Sequence, residues 1–191
     1  SSTVCGAAFL AAEAALRSGV GMVKIYTEEA NRIPLASSLP EALLSTYSEW
    51  EWKEEGLKND LSWADAILIG PGIGCGSTAE RILHFVLENS TLPLVLDADA
   101  LNLLAGKAEI LKNYPGEKVI TPHCLEMARL LGRPLSWVKE DLRRAAEEAA
   151  DLTGATVILK DAATVIAGIE GRTWIYSEGS SALKESSPIM G

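Results

Sequence analysis

A chain of 191 residues, 48% of them hydrophobic, has room for one domain with a sizeable core, and halving it would leave each part marginal. A net charge of −9, from 26 acidic and 17 basic side chains, argues against nucleic acid or an anionic membrane as partner, since both need a basic surface. It leaves open a nucleotide, which asks only for a local pocket of backbone N–H groups and one or two cations.

No apolar run reaches the roughly 18 residues of a membrane span, and no basic-then-apolar signal opens the chain, so the expected location is the cytoplasm. Three cysteines, Cys5, Cys75 and Cys124, show no zinc spacing, and their odd number fits poorly with a disulfide framework. They read as reduced, small and mostly buried. A zinc site from Cys75, His123 and Cys124 is disfavoured because adjacent ligands at 123 and 124 point in different directions.

"GAAFLAAEAALRSGVG" reads as a helix apolar on nearly every side, with Glu13 and Arg17 on one exposed strip and Gly19 as its stop. Such a helix needs cover on most faces and is expected to be central. "MVKIYT" is a strand. "ANRIPLASSLPEALLSTY" and "SEWEWKEEGLKND" are less regular and read as loop and short helix near the surface.

A repeating grammar follows. "ADAILIG" is a strand closed by "PGIGCG", and Ser77 with Glu80 forms a capping box opening the helix "TAERILHFVLEN". "LPLVLDA", "KVITP" and "ATVILK" are further strands. Between them stand the helices "ALNLLAGKAEILKN", "CLEMARLLG" and a long one, "WVKEDLRRAAEEAADLTG", capped by Ser136. Val138, Leu142, Ala145, Ala149 and Leu152 form the apolar stripe of that last helix, and its glutamates and arginines form a solvated face. "TVIAGIEGRTWIY" is a hairpin turning at Glu170 and Gly171.

Strands alternating with helices predict an α/β fold, a mostly parallel central sheet with helices on both faces and a hairpin near the C-terminal end. The strands are continuous apolar runs, as expected when both faces are covered. No repeats, low-complexity tracts or long linkers interrupt the chain, so residues 1–191 are expected to form a single domain.

In such sheets ligands bind beyond the carboxyl ends of the strands. "GPGIG" at 70–74, "DADALN" at 97–102, "TPH" at 121–123 and "KDAAT" at 160–164 each follow a strand and are expected to meet along one border. Glycines allow close backbone approach, carboxylates accept hydrogen bonds or hold metal, His123 can donate or shuttle a proton, and Lys160 can face phosphate. Each has a plainer alternative. "GPGIG" is a tight turn, Asp97 and Asp99 cap a helix, His123 is a satisfied histidine beside a helix start, and Lys160 snorkels to water. His84, in mid-helix, reads as structural.

The ordered set "GAAFLAAEAALRSGVGMV", "LPE", "GPGIG", "LDADALNLL", "ITPHCLEMARLLG" and "VILKDAATVIA", spanning Gly6 to Ala167, resembles the carbohydrate-kinase-like domain of the NAD(P)HX dehydratases. The resemblance implies a ribokinase-like nucleotide-binding fold and an ADP- or ATP-driven dehydration of hydrated NADH or NADPH, a nicotinamide nucleotide repair reaction. It further implies Mg²⁺, though no metal ligand from the protein, a homotetramer, and an NAD(P)HX epimerase as a fused or separate partner. By the same resemblance Ala7, Gly72 and His123 contact the hydrated nicotinamide. Lys160, Asp161, Ala162, Ala163 and Thr164 hold the adenine nucleotide, with Asp97, Asp99 and Asn102 as additional site residues.

The chain departs from the family pattern in four places. Asp161 stands where the family has glycine, and "TPHCLE" replaces "TPHPGE". The closing Gly-x-Gly-Asp turn, whose aspartate is the activating base, has no counterpart in "EGSSALKESSPIMG", so no catalytic residue is assigned. The start, "SSTVCGAA", falls inside the family's first glycine-serine loop. The chain is therefore expected to be an incomplete domain, poorly active and of low stability by itself, or a degenerate relative that binds nucleotide without turnover. Two other functions stay open, a small-molecule kinase of the thiamine-precursor type and a non-catalytic nucleotide-binding or assembly module.

Overall fold

A computed structural model describes residues 2–169 and 171–177. They fall into two compact units, Ser1–Asp65 with Gly70–Ser90, and Ala66–Ile69 with Thr91–Gly191.

The first unit contains helices α1 (Ser2–Arg17), α2 (Arg32–Ser38), α3 (Glu54–Trp63) and α4 (Ser77–Asn89), and strands β1 (Lys24–Glu28) and β2 (Leu43–Tyr47). β1 and β2 pair in parallel, from Lys24 opposite Leu43 to Glu28 opposite Tyr47. The core joins Ala12, Ile25, Leu35, Leu39 and Ala42, with Phe9, Leu16, Val23 and Leu44 packed around them.

Three expectations for this unit need correction. The first segment read as loop and short helix near the surface also holds a paired strand, and Leu35 of its helix is fully buried. Trp52 is likewise buried; its indole N–H donates to the Tyr26 hydroxyl at 2.9 Å, and its ring meets Phe85 edge-on. α1 is not covered on most sides. Ala12 is its one buried residue among those whose side chains are described, and Leu10 is 63% exposed. The capping box expected at Ser77 and Glu80 does not form, because extended Gly76, which has no side chain to cap with, takes the N-cap position of α4.

The second unit is a six-stranded sheet in the order β3 (Ile67–Ile69), β4 (Leu94–Leu96), β5 (Lys118–Ile120), β6 (Thr156–Leu159), β7 (Ala163–Ala167) and β8 (Thr173–Ser177). β3 to β6 run parallel; β7 and β8 are antiparallel. The hairpin turns as expected, with the Gly168 N–H donating to the Arg172 carbonyl at 2.9 Å and Gly171 at φ 74°. Glu170, the other expected turn residue, lies outside the described residues, as does the ending "EGSSALKESSPIMG".

Helices α5 (Asp99–Leu103), α6 (Cys124–Leu131), α7 (Leu135–Glu140) and α8 (Leu142–Thr153) complete the unit. Ala145, Ala146 and Ala149 of α8 are fully buried and give it a flat face, and α8 packs on β6 and β7. Leu94, Leu96, Ile120, Val157, Leu159, Val165 and Ala167 of the sheet are also sealed from solvent. Their strand neighbours Val95, Val119, Ile158 and Ile166 point the other way and are half-buried.

Two helices are shorter than the sequence suggests. The long helix expected after Ser136 is broken at Asp141, which is extended and accepts the Arg144 N–H at 2.9 Å as the N-cap of α8. Pro134, not Ser136, precedes α7 as its N-cap. The helix expected over 100–113 stops at Leu103; Gly106 has φ 76°, and a 3-10 turn covers Ala108–Asn113.

Candidate functional site

Residues just beyond β4, β5 and β6 extend the parallel ladder past the strands proper. The Thr121 N–H donates to the Leu96 carbonyl at 3.1 Å and the Lys160 N–H to the Pro122 carbonyl at 2.8 Å, while His123 and Lys160 form a single parallel bridge. Asp97, Thr121, His123 and Lys160 are therefore neighbours along one carboxyl-end border, as the strand endings suggest. Asp97 Oδ1 accepts from Lys160 Nζ at 2.8 Å and from Thr121 Oγ1 at 2.8 Å. Burial pushes the Asp97 carboxyl up. The hydrogen bonds from Lys160 and Thr121, the lysine charge and the Ala98 N–H outweigh it and hold the group below its ordinary value.

Neither aspartate caps α5. The N-cap is Ala98, held at φ 49° and ψ −118°, a conformation that side chains rarely adopt. Asp99 is the first residue of the helix and half-buried. The Asn102 amide donates to the Ala98 carbonyl at 3.3 Å, and its oxygen accepts from Arg129 Nη1 at 2.8 Å, tying α5 to α6.

His123 is the N-cap of α6. Its Nδ1 accepts from the Leu125 and Glu126 N–H groups at 3.1 and 3.3 Å, and Glu126 Oε2 accepts from the His123 N–H at 2.9 Å. That is a complete capping box, built on histidine in place of serine. With Nδ1 accepting, the neutral ring carries its proton on Nε2, which lies 3.3 Å from Glu126 Oε1, and the side chain is half exposed.

Asp161 and Ala162 are exposed after Lys160, and Ala163 and Thr164 open β7. Burial first, then the Asp161 carboxylate, pushes the Cys124 thiol up to about 11. Cys124 is buried, but Cys75 is exposed, against the expectation of mostly buried cysteines. Among the described residues no group of three or more His, Cys, Asp or Glu is placed to hold a metal ion, and no helix is long and apolar enough to cross a membrane.

Ala7 and Gly72 belong to the first unit. Ala7 is half-buried in α1, and a cleft of about 450 Å³ beside it is lined by Cys5, Gly6, Phe9, Asn31 and Pro34 but not by Ala7 itself. Gly72 has φ 72°, between Gly70 at 126° and Gly74 at 78°, so this turn runs through backbone that favours glycine. Sequence reasoning missed Thr121, Arg129 and the strained Ala98. "TPH" contains Thr121, but nothing local marks it as a partner of Asp97.

The family model of NAD(P)H-hydrate dehydratase matches residues 1–186. The chain belongs to that family. It is 36% identical to the bifunctional NAD(P)H-hydrate repair enzyme Nnr of Escherichia coli over 178 residues, covering 93% of this chain and 33% of that protein. Among solved structures it is similar to a ribokinase-like superfamily protein of Enterococcus faecalis (TM-score 0.75, 30% identity, 92% of this chain and 59% of that one). It is equally similar to the ADP/ATP-dependent NAD(P)H-hydrate dehydratase of Bacillus subtilis co-crystallized with ATP and Mg²⁺ (TM-score 0.73, 31% identity, 92% and 60%). The fold is thus α/β with a mostly parallel sheet, as in these ribokinase-like structures. The chain spans a third of the E. coli NAD(P)H-hydrate repair enzyme and about three-fifths of the other two proteins.

Proposed function

We propose that this family member acts in an ADP- or ATP-driven NAD(P)H-hydrate dehydratase, with Lys160–Thr164 as the nucleotide-binding segment. One observation carries the reading, the Lys160 ammonium held 2.8 Å from Asp97 at the carboxyl border of the sheet and bridged to His123. Lys160 and Asp97 side chains are 45% and 28% exposed, so their ion pair contributes little and exchanges readily for a phosphate.

Asp97 keeps the lysine pointed along the border, and Thr121 fixes Asp97. The half-exposed His123 offers Nε2–H to the hydrated nicotinamide. Asp99 and Asn102 support the border from α5. In this reading Mg²⁺ is held by the nucleotide phosphates and water. The nucleotide supplies a phosphoryl group that turns the ring hydroxyl into a leaving phosphate, whose loss restores the dihydronicotinamide.

The bifunctional name of the E. coli relative supports a second repair activity on the same chain; an epimerase, fused or separate, and a homotetramer follow the resemblance alone, and acidity with reduced thiols favours the cytoplasm. The test is direct. ADP with hydrated NADH and the full-length protein should restore absorbance at the dihydronicotinamide band. No recovery with either ADP or ATP, alongside a stable phosphoester formed from an alcohol, would replace this reading with a small-molecule kinase.

A further inference from the structure

Thr121 fixes the Asp97 side chain, but the backbone that carries Asp97 runs straight into Ala98, whose φ of 49° is one that alanine rarely adopts. A residue so placed keeps its conformation only where its surroundings over-determine it. The Ala98 carbonyl accepts from the Leu101 and Asn102 N–H groups at 3.0 and 3.2 Å, and from the Asn102 side-chain amide at 3.3 Å. The first two bonds belong to the opening turn of α5. The third depends on which way the Asn102 amide faces.

An amide has one donating and one accepting end. The Arg129 guanidinium, which only donates, reaches the Asn102 oxygen from α6 at 2.8 Å. That contact turns the NH₂ end of Asn102 towards the Ala98 carbonyl, which only accepts. With the amide reversed, donor would face donor and acceptor would face acceptor. Hydrogen bonds therefore lead from Arg129 through Asn102 to the strained residue beside Asp97, and from Asp97 to Lys160. Arg129 itself is exposed, so replacing it opens no cavity in the core.

We propose that Arg129 is a positioning residue for the nucleotide site, orienting the Asn102 amide so that Ala98 stays at positive φ and Asp97 keeps Lys160 aimed along the border. This rests on the nucleotide reading above. In calorimetric titrations with ADP, Arg129→Met should weaken binding roughly threefold to tenfold, within the range of coupling between interacting groups. Added to Lys160→Ala, the same substitution should cost less than about twofold, because the contact it serves is already gone. A folded Arg129→Met protein with wild-type affinity overturns the proposal. So does an equal loss in both backgrounds, which would make Arg129 an independent contact of the nucleotide.

A second readout needs no nucleotide. Followed by carbon-13 NMR, the Asp97 carboxyl should titrate at higher pH in Arg129→Met than in wild type, because loosened bonds from Lys160 and Thr121 favour its charged form less. Identical titrations overturn the link between Arg129 and Asp97. Wild-type protein that binds no ADP overturns the nucleotide assignment and this role with it, while the Asp97 titration still judges the link.

Discussion

Lys160 and Asp97 form a pair that would serve both the fold and the nucleotide site proposed above. The ammonium is the cation a phosphate needs, and the carboxylate that holds it is fixed by Thr121 and the Ala98 N–H. Lys160→Ala should weaken ADP binding roughly tenfold to hundredfold, the worth of a hydrogen bond to a charged group; unchanged affinity by calorimetry would remove Lys160 from the nucleotide site. Asp97 also sets a pH dependence. Its folded pKa lies below its unfolded one, so the stability it contributes is present above the ordinary carboxylate range and is lost as pH falls through the folded value. The gap in urea midpoint between wild type and Asp97→Asn should therefore be largest near pH 7 and shrink towards pH 2. Ala98 is the strained member of the group. Removing its Cβ relieves about 1–3 kcal/mol of backbone strain, offset by about 0.5–1 kcal/mol of added chain entropy. Ala98→Gly should accordingly raise the urea midpoint, and a lower midpoint would mean that the φ of 49° costs little here. The strand endings "DADALN" and "KDAAT" pointed to a shared border for Asp97 and Lys160, but neither the part of Thr121 nor the strain at Ala98 was legible in them.

At the level of elements, the apolar runs of β3 to β6 and the glycine-marked hairpin could be read because local pattern and tertiary pairing agree there. β2 could not. Its centre is Ser45 and Thr46, and its strand character comes from lying beside β1. The break between α7 and α8 was hidden because Asp141 sits in a continuous helical stripe and acts through a single hydrogen bond to Arg144. Capping was misplaced for a related reason. The Ser-x-x-Glu signature is at Ser77, but the working box is His123 with Glu126, using imidazole Nδ1 as the acceptor. The cap that His123 forms is thus separable from the substrate contact proposed for it. His123→Ala should lose about 1 kcal/mol of stability together with substrate affinity. His123→Asn, a favoured N-cap without Nε2–H, should keep the thermal midpoint and lose only the substrate contact. Equal loss of midpoint in both variants would tie stability to the whole ring and not to the cap.

On the scale of the whole molecule, the alternation of strand and helix was enough to foresee the mostly parallel sheet, but not the division into two compact units. No linker composition marks it: the chain passes between units on either side of the three-residue strand β3, inside "ADAILIGPG", and again between Ser90 and Thr91. The first unit is therefore closed by residues on both sides of a strand that belongs to the second. A ligand that binds only the folded state stabilises whatever opens together with its site, by about 2.7 kcal/mol at a hundredfold excess over Kd. All the nucleotide residues proposed here lie in the second unit, so ADP at that excess should slow hydrogen exchange most at amides of the β4, β5 and β6 region, including Asp97, Thr121 and Lys160. Amides of β1 and β2 should gain little if the two units open independently. Equal slowing in β1 and β2 would show one cooperative body. Slowing confined to β1 and β2 would place the nucleotide on the first unit and overturn the Lys160 assignment.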